Sequence, residues 1–200
     1  MIEPVWPRAE PLAFADKVLH KIKIYPGFCN LCGGPTLFVA RHSNFREHVP
    51  CIRCRGVNRY RQMMAVLLRH AYGGRPPRFG SVKKVPKHLK IWNTETTRAL
   101  HKKLMAHLGE NYIASEFVDP ALPSGTVTEK GVLHVDMQKT HFADESFDYV
   151  LSSDVVEHIP FYMEAMRETW RILKFGGAHI FTIPFYNHRT SIERRSVMRP

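Results

Sequence analysis

The sequence predicts an α/β chain: an open, mostly parallel sheet preceded by a small four-cysteine module resembling a zinc ribbon. Three observations predict it. Strand-like and helix-like segments alternate from residue 88 onward, the arrangement that gives a parallel sheet covered on both faces. Two C-x-x-C pairs lie close together before residue 55. A composition of 44% hydrophobic and 24% charged residues belongs to a globular chain and excludes a disordered one.

The cysteines come first in the chain. Cys29 and Cys32 form one pair, Cys51 and Cys54 the other, with 18 residues between them. Each pair can offer two thiolates from one turn, and two such knuckles complete a tetrahedral zinc site. A redox C-x-x-C is the rival reading, but it does not come as two spaced pairs. With four thiolate ligands the metal keeps no open position, so the expected zinc is structural and not catalytic. His42 and His48, between the pairs, read as loop residues. Residues 1–28 read as a loosely patterned arm with one short amphipathic stretch at 14–24.

From Asn58, the apolar positions Tyr60, Met63, Met64, Leu67 and Leu68 have helical spacing, with Asn58 the expected N-cap and Gly73-Gly74 the stop. The proline- and glycine-bearing basic run 75–87 reads as a linker. The expected organisation is therefore a zinc-binding module with its helix over 1–74, a basic linker over 75–87 and an α/β domain over 88–200. Within that domain the expected strands are 88–93, 111–117, 131–137, 147–154 and 178–185. One helix is expected over 96–109. A second, over about 161–174, turns Ala165, Met166, Thr169, Trp170 and Leu173 to one face and ends on Gly176-Gly177.

The formal charge of +11 and pI near 9.7 favour anionic partners in general without selecting one. Residues 1–14 lack the apolar region of a signal peptide, and no apolar run reaches the ~20 residues that span a bilayer. The expected location is the cytoplasm, where thiols stay reduced.

In an open α/β sheet, ligands lie over the carboxyl ends of the strands. Glu116 ends the second expected strand, Asp136 and Met137 end the third, and Asp154 ends the fourth. The run 141–185 is similar to class I S-adenosylmethionine-dependent methyltransferases, in the subgroup called type 11. The resemblance rests on Asp136, Phe142, Ser146-Phe147-Asp148, Asp154, Glu157-His158, Glu168, Arg171-Ile172-Leu173-Lys174 and Gly176-Gly177 in order and spacing. It implies a Rossmann-like fold, a transferase activity and S-adenosylmethionine as cofactor. Glu116 would accept the ribose hydroxyls, Asp136 and Met137 would hold the adenine, and Asp154 would lie near the methionine end. His158 is the candidate base, with Asp154 the alternative.

The chain departs from the family pattern in two places. The turn after the first strand, expected to be glycine-rich, reads Asn93-Thr94-Glu95 and contains no glycine; those three residues become the candidate contacts to the methionine moiety. The sheet is also expected to lack the family's last strands, since only about fifteen residues follow the fifth. The resemblance implies a small-molecule or carbohydrate-like methyl acceptor. An RNA acceptor gripped by the basic zinc module is the alternative, and a degenerate fold that binds a partner without catalysis is a third reading.

Overall fold

The computed structural model describes residues 23–40 and 47–184. His42, most of the 14–24 stretch and the segment after 184 lie outside the described residues. Two units of secondary structure follow one another. A hairpin, β1 (Lys23–Cys29) and β2 (Gly34–Ala40), pairs antiparallel from Lys23↔Ala40 to Cys29↔Gly34. It is followed by α1 (Asn58–Ala71), then β3 (Ile91–Asn93), α2 (Arg98–Leu108), β4 (Tyr112–Ala114), β5 (Phe147–Ser153), α3 (Tyr162–Ile172) and β6 (Leu173–Thr182). The last four strands form one parallel sheet in the order β4-β3-β5-β6. The chain leaves β3 to one side for β4 and returns to its other side for β5. That reversal is the switch point at which such sheets bind ligands.

Alternate residues on the central strands feed two cores. Ile91, Tyr149, Leu151 and Ile180 join Tyr60, Met63, Met64, Leu67 and Leu68 of α1 and Leu100 and Leu104 of α2. Trp92, Phe147 and Val150 join Val135, Met137 and, from α3, Ala165 and Ile172. Each face thus buries the apolar stripe of at least one helix, as a sheet of near-continuously apolar strands requires. The first core does not stop at α1. It takes in Cys29, Leu31 and Cys51 from the cysteine module, together with Val82 and Val85 from the 75–87 segment. In that segment a short 3-10 turn (Val82–Lys84) follows Ser81, and Val82 N donates to Leu31 O at 3.2 Å.

Several elements differ from their sequence expectations. The end of the expected arm, 23–28, is part of β1. Asn58 is the first residue of α1 and not its cap. Val57 holds the cap position, and the Asn58 side chain instead accepts from Arg61 Nη2 at 3.3 Å. The expected third strand, 131–137, forms only single bridges, parallel at Glu116↔His134 and antiparallel at Val127↔Leu133. Its pairing is short because β4 is itself only three residues long. Residues 125–128 fold back over its other side, with His134 N donating to Thr126 O at 2.7 Å.

Helix α3 ends at Ile172, and Gly176-Gly177 lie inside β6. Pairing with β5 jumps from Phe147↔Leu173 to Tyr149↔Ala178, so Lys174–Gly177 make a bulge. Glycine is needed there. Gly176 has φ +77°, and a Cβ on Gly177 would come within 2.9 Å of the Asp148 and Lys174 carbonyl oxygens. On α3 the buried positions are Ala165, Thr169 and Ile172, and Trp170, expected on the inner face, is 80% exposed.

Because α1 is buried in the same core as the sheet, Leu67→Ala should lower the stability of the whole described structure. A loss of about 2–5 kcal/mol is expected. Chemical denaturation followed in parallel by fluorescence and far-UV dichroism should show one shared transition.

Candidate functional site

The carboxyl ends of β3, β4 and β5 open on a cleft of about 210 Å³. Thr94, Glu116, Asp136, Met137, Asp154 and His158 all line it. Of the residues singled out in the sequence, Asn93 and Glu95 do not. Asn93 is fully buried behind the turn, where its Nδ2 donates to Tyr112 Oη at 2.8 Å and to Glu95 O at 2.9 Å. Glu95 points toward α1, and Tyr60 Oη donates to its Oε1 at 2.8 Å. Burial raises the Glu95 carboxyl, against the pull of Tyr60 and of Arg59. The Tyr60 hydroxyl is pushed up to about 12, first by burial and then by Glu95.

The turn without glycine is therefore held from behind. Thr94 N donates to Leu151 O at 3.0 Å, Asn93 O accepts from Ser115 N at 3.0 Å, and Asn93 and Glu95 face inward. This leaves Thr94 as the side chain of the turn that reaches the cleft. It is 7% exposed, and its Oγ1 has no hydrogen-bond partner among the described residues. A buried hydroxyl with no partner is costly unless a ligand supplies one.

The carboxylates are oriented individually. Glu116 Oε1 accepts from Thr96 N and Thr96 Oγ1, both at 2.8 Å. Asp136 Oδ1 accepts from Gln138 N at 2.8 Å, while Asp136 N donates to Ser124 Oγ at 2.9 Å. Gln138 Oε1 in turn accepts from Phe161 N, just before α3. Asp154 sits at φ +57°, in the left-handed region that Asp tolerates better than most residues. Its Oδ1 accepts from Thr182 Oγ1 at 3.0 Å, and its Oδ2 accepts from Arg59 of α1. His158 lies on the exposed rim, at the end of a 3-10 turn (Val156–His158).

Other lining residues carried no signal in the sequence: Ser115, Phe117, Gln138, Val155, Ile159 and Pro160. Phe117 is exposed, with its ring 5.3 Å from that of His134. Arg59 likewise carries no signal, since nothing in the local pattern distinguishes it from the other arginines of α1.

Below the cleft, Glu168 and Arg171 tie α3 to the loop before β5. Glu168 Oε2 accepts from Thr140 N and Oγ1, and Arg171 donates to Glu168, Asp144 and Phe142 O. These two residues belong to the motif set read from the sequence.

The second site is the cysteine cluster. The four Sγ atoms lie within 4.8 Å of one another. Cys29 Sγ and Cys54 Sγ are 3.7 Å apart, Cys32 Sγ and Cys51 Sγ 3.9 Å. A tetrahedron with metal–sulfur bonds of about 2.3 Å has edges of ~3.8 Å, so the donor set fits a four-thiolate zinc ion. Both knuckles close with short backbone bonds, Gly33 N to Cys29 O and Arg55 N to Cys51 O, each 2.8 Å. Arg61 is buried beside them, its guanidinium 4.2 Å from the Phe38 ring centre. Burial lowers its pKa, and the neighbouring Cys29, Cys51 and Cys54 oppose that shift. A buried cation offsets part of the negative charge that four thiolates bring.

Residues 97–181 match the family model of a methyltransferase domain, so the resemblance to that family is borne out over this stretch. Among solved structures, the methyltransferase CalH in complex with S-adenosylhomocysteine is 16% identical, with a TM-score of 0.34 over 50% of this chain and 33% of that one. A SAM-dependent methyltransferase from Aquifex aeolicus is 13% identical, with a TM-score of 0.32 over 43% of this chain and 51% of that one. The chain thus spans a third to a half of the length of these proteins. No curated protein matches the sequence. Among the described residues no helix is long and apolar enough to cross a membrane.

Arg171, through its hydrogen bonds, holds the Glu168 carboxyl at about 2, well below its ordinary 4.5. A carboxyl with a depressed folded-state pKa stabilises the fold above its unfolded value, and that contribution is lost as pH falls toward the folded one. Melting temperature should therefore drop between pH 4.5 and about 2 in the wild type. Glu168→Gln should melt lower than wild type at neutral pH, and its drop over that window should be smaller.

Proposed function

We propose that the chain is an S-adenosylmethionine-dependent methyltransferase with a structural zinc site, acting on a small-molecule or carbohydrate-like acceptor. One observation carries the reading. A single cleft at the switch point gathers Thr94, Glu116, Asp136, Met137, Asp154 and His158, the residue types that an adenosyl sulfonium cofactor and a methyl acceptor need. The methyltransferase-domain match over 97–181 supports it.

When bound, the cofactor supplies an electrophilic methyl on sulfur. Glu116, with Oε1 braced by Thr96, takes the ribose hydroxyls. Asp136, fixed by Gln138, accepts from the adenine amino group, and Met137 gives the ring an apolar floor. Thr94 and Asp154 take the methionine end. Asn93 and Glu95 act behind the turn, keeping it in place. Methyl transfer is an in-line displacement, so the protein mostly positions the reactants, and His158 takes the acceptor's proton with Asp154 as the alternative base.

The lining favours a small acceptor over RNA. It carries three carboxylates, Glu116, Asp136 and Asp154, and among the described residues that line it none is Lys or Arg. The sugar-phosphate backbone of RNA at this cleft would meet repulsion where it needs cations. Cys29, Cys32, Cys51 and Cys54 hold one zinc ion that fixes the two knuckles. The zinc module and its helix (1–74), the 75–87 segment and the α/β part (88–200) are read as the functional divisions of the chain, and the cytoplasm as its location.

Isothermal titration tests the cofactor reading. Wild type should bind S-adenosylmethionine and S-adenosylhomocysteine, and Asp136→Ala should bind at least about tenfold more weakly, a difference of ~1.4 kcal/mol. Absence of binding at millimolar ligand would overturn the reading. Metal analysis of the purified chain should find one zinc per chain, lost in Cys51→Ser. Retention on RNA that persists at moderate salt would favour the RNA acceptor instead.

A further inference from the structure

We propose that Arg59 is a positioning residue that couples the metal site to the cofactor cleft, so that ligand in the cleft and metal on the thiolates stabilise each other. The inference rests on the cofactor reading above and extends it to regulation of the same site.

The connection is short and made of direct contacts. The second knuckle closes through Arg55 N to Cys51 O and Cys51 N to Gly56 O at 3.1 Å. Arg61 donates to Gly56 O at 2.7 Å and to Val49 O at 2.9 Å, fastening the first turn of α1 to that knuckle. On that same turn, Arg59 and Tyr60 face the cleft side. Arg59 donates to Asp154 Oδ2 and stands 3.4 Å from Glu47, while Tyr60 Oη donates to Glu95 Oε1. Arg59 therefore lies five residues after the last thiolate and bonds directly to a carboxylate that lines the cleft.

The burial of this contact gives it weight. The Arg59 and Asp154 side chains are 12% and 20% exposed, so their attraction is screened less than that of a surface pair. Burial opposes the charge on Arg59, and Tyr60, Asp154 and Glu47 outweigh it and raise its pKa. Asp154 needs such a hold, because its backbone sits in the left-handed region directly after β5. When the knuckle opens, the first turn of α1 loses Arg61's anchor, and Arg59 and Tyr60 lose their register on Asp154 and Glu95. Linkage then works in both directions: whatever ligand the cleft binds in its ordered form must also lower the equilibrium population of the opened knuckle.

The test uses the zinc-loaded full chain, challenged with excess pyridylazo-resorcinol, which reports released zinc by absorbance. In wild type, saturating S-adenosylhomocysteine should lower the zinc transferred to the dye at equilibrium, raising the chain's apparent zinc affinity at least about fivefold. Arg59→Ala should still bind S-adenosylhomocysteine, more weakly, but its zinc release should be the same with and without the ligand. Arg59→Lys should recover part of the protection, and Arg69→Ala, on the exposed far end of α1, should behave as wild type. Arg59→Gln replaces the alanine variant if that variant loses its far-UV signal. Ligand that binds wild type without lowering zinc release at equilibrium overturns the coupling and leaves the cofactor reading standing. Protection in Arg59→Ala equal to wild type also overturns it. Failure of wild type to bind S-adenosylhomocysteine removes the cofactor reading and the coupling together.

Discussion

Helix α1 is held at both ends of its function by burial that cannot be divided. Its apolar stripe, Tyr60 to Leu68, packs on Tyr149, Leu151 and Ile180 of the sheet and in the same cluster as Cys29, Leu31 and Cys51. Arg61 ties its first turn to the second knuckle, and His70 Nδ1 meets Tyr149 Oη at 2.9 Å near its last turn. A helix fixed in this way can present Arg59 and Tyr60 to Asp154 and Glu95 with little freedom. Asp154, which lines the cleft, is then held by a helix that follows directly on the cysteine module.

This explains how the turn after β3 manages without glycine. In a glycine-rich turn the backbone itself approaches the ligand, and side chains are excluded. Here the side chains turn away. Asn93 is enclosed by Tyr112 and the Glu95 carbonyl, Glu95 is taken up by Tyr60, and Thr94 alone among the three lines the cleft. His101 Nδ1 lies 3.2 Å from Tyr112 Oη, and burial lowers the pKa of that imidazole. Tyr60, Asn93, Glu95 and Tyr112 thus bond to one another behind the turn, while Asn93 Oδ1 and Glu95 Oε2 stay buried with no hydrogen-bond partner among the described residues. Trp92 completes the support from the other face, donating to Ser115 Oγ at 2.9 Å and packing on Phe142 and Phe147.

Much of this was legible in the sequence, for identifiable reasons. Strand ends in an open α/β sheet are set by topology, so Glu116, Asp136 and Asp154 could be placed from the alternation of elements alone. The cysteine spacing carried its own chemistry. Local pattern failed where long-range pairing decided the outcome. Gly176-Gly177 read as a helix stop because glycines end helices, yet β5 recruits the chain into a strand three residues earlier and the glycines become its bulge. Trp170 read as inward because it repeats at helical spacing, but the burial stripe of α3 runs through Ala165, Thr169 and Ile172. The roles of Asn93 and Glu95 depend on Tyr112 and Tyr60, and the Arg59–Asp154 pair joins residues 95 positions apart. No local motif announces such a contact.

The proposed cofactor site lies at the carboxyl ends of β3, β4 and β5. Hydrogen exchange with and without S-adenosylhomocysteine tests it segment by segment. Binding should slow exchange in 94–98, 115–118 and 136–138, the backbone around Thr94, Glu116 and Asp136, and should leave the outer turns of α3 unchanged. Unchanged exchange in all three segments at saturating ligand, or protection confined to another part of the chain, would contradict it.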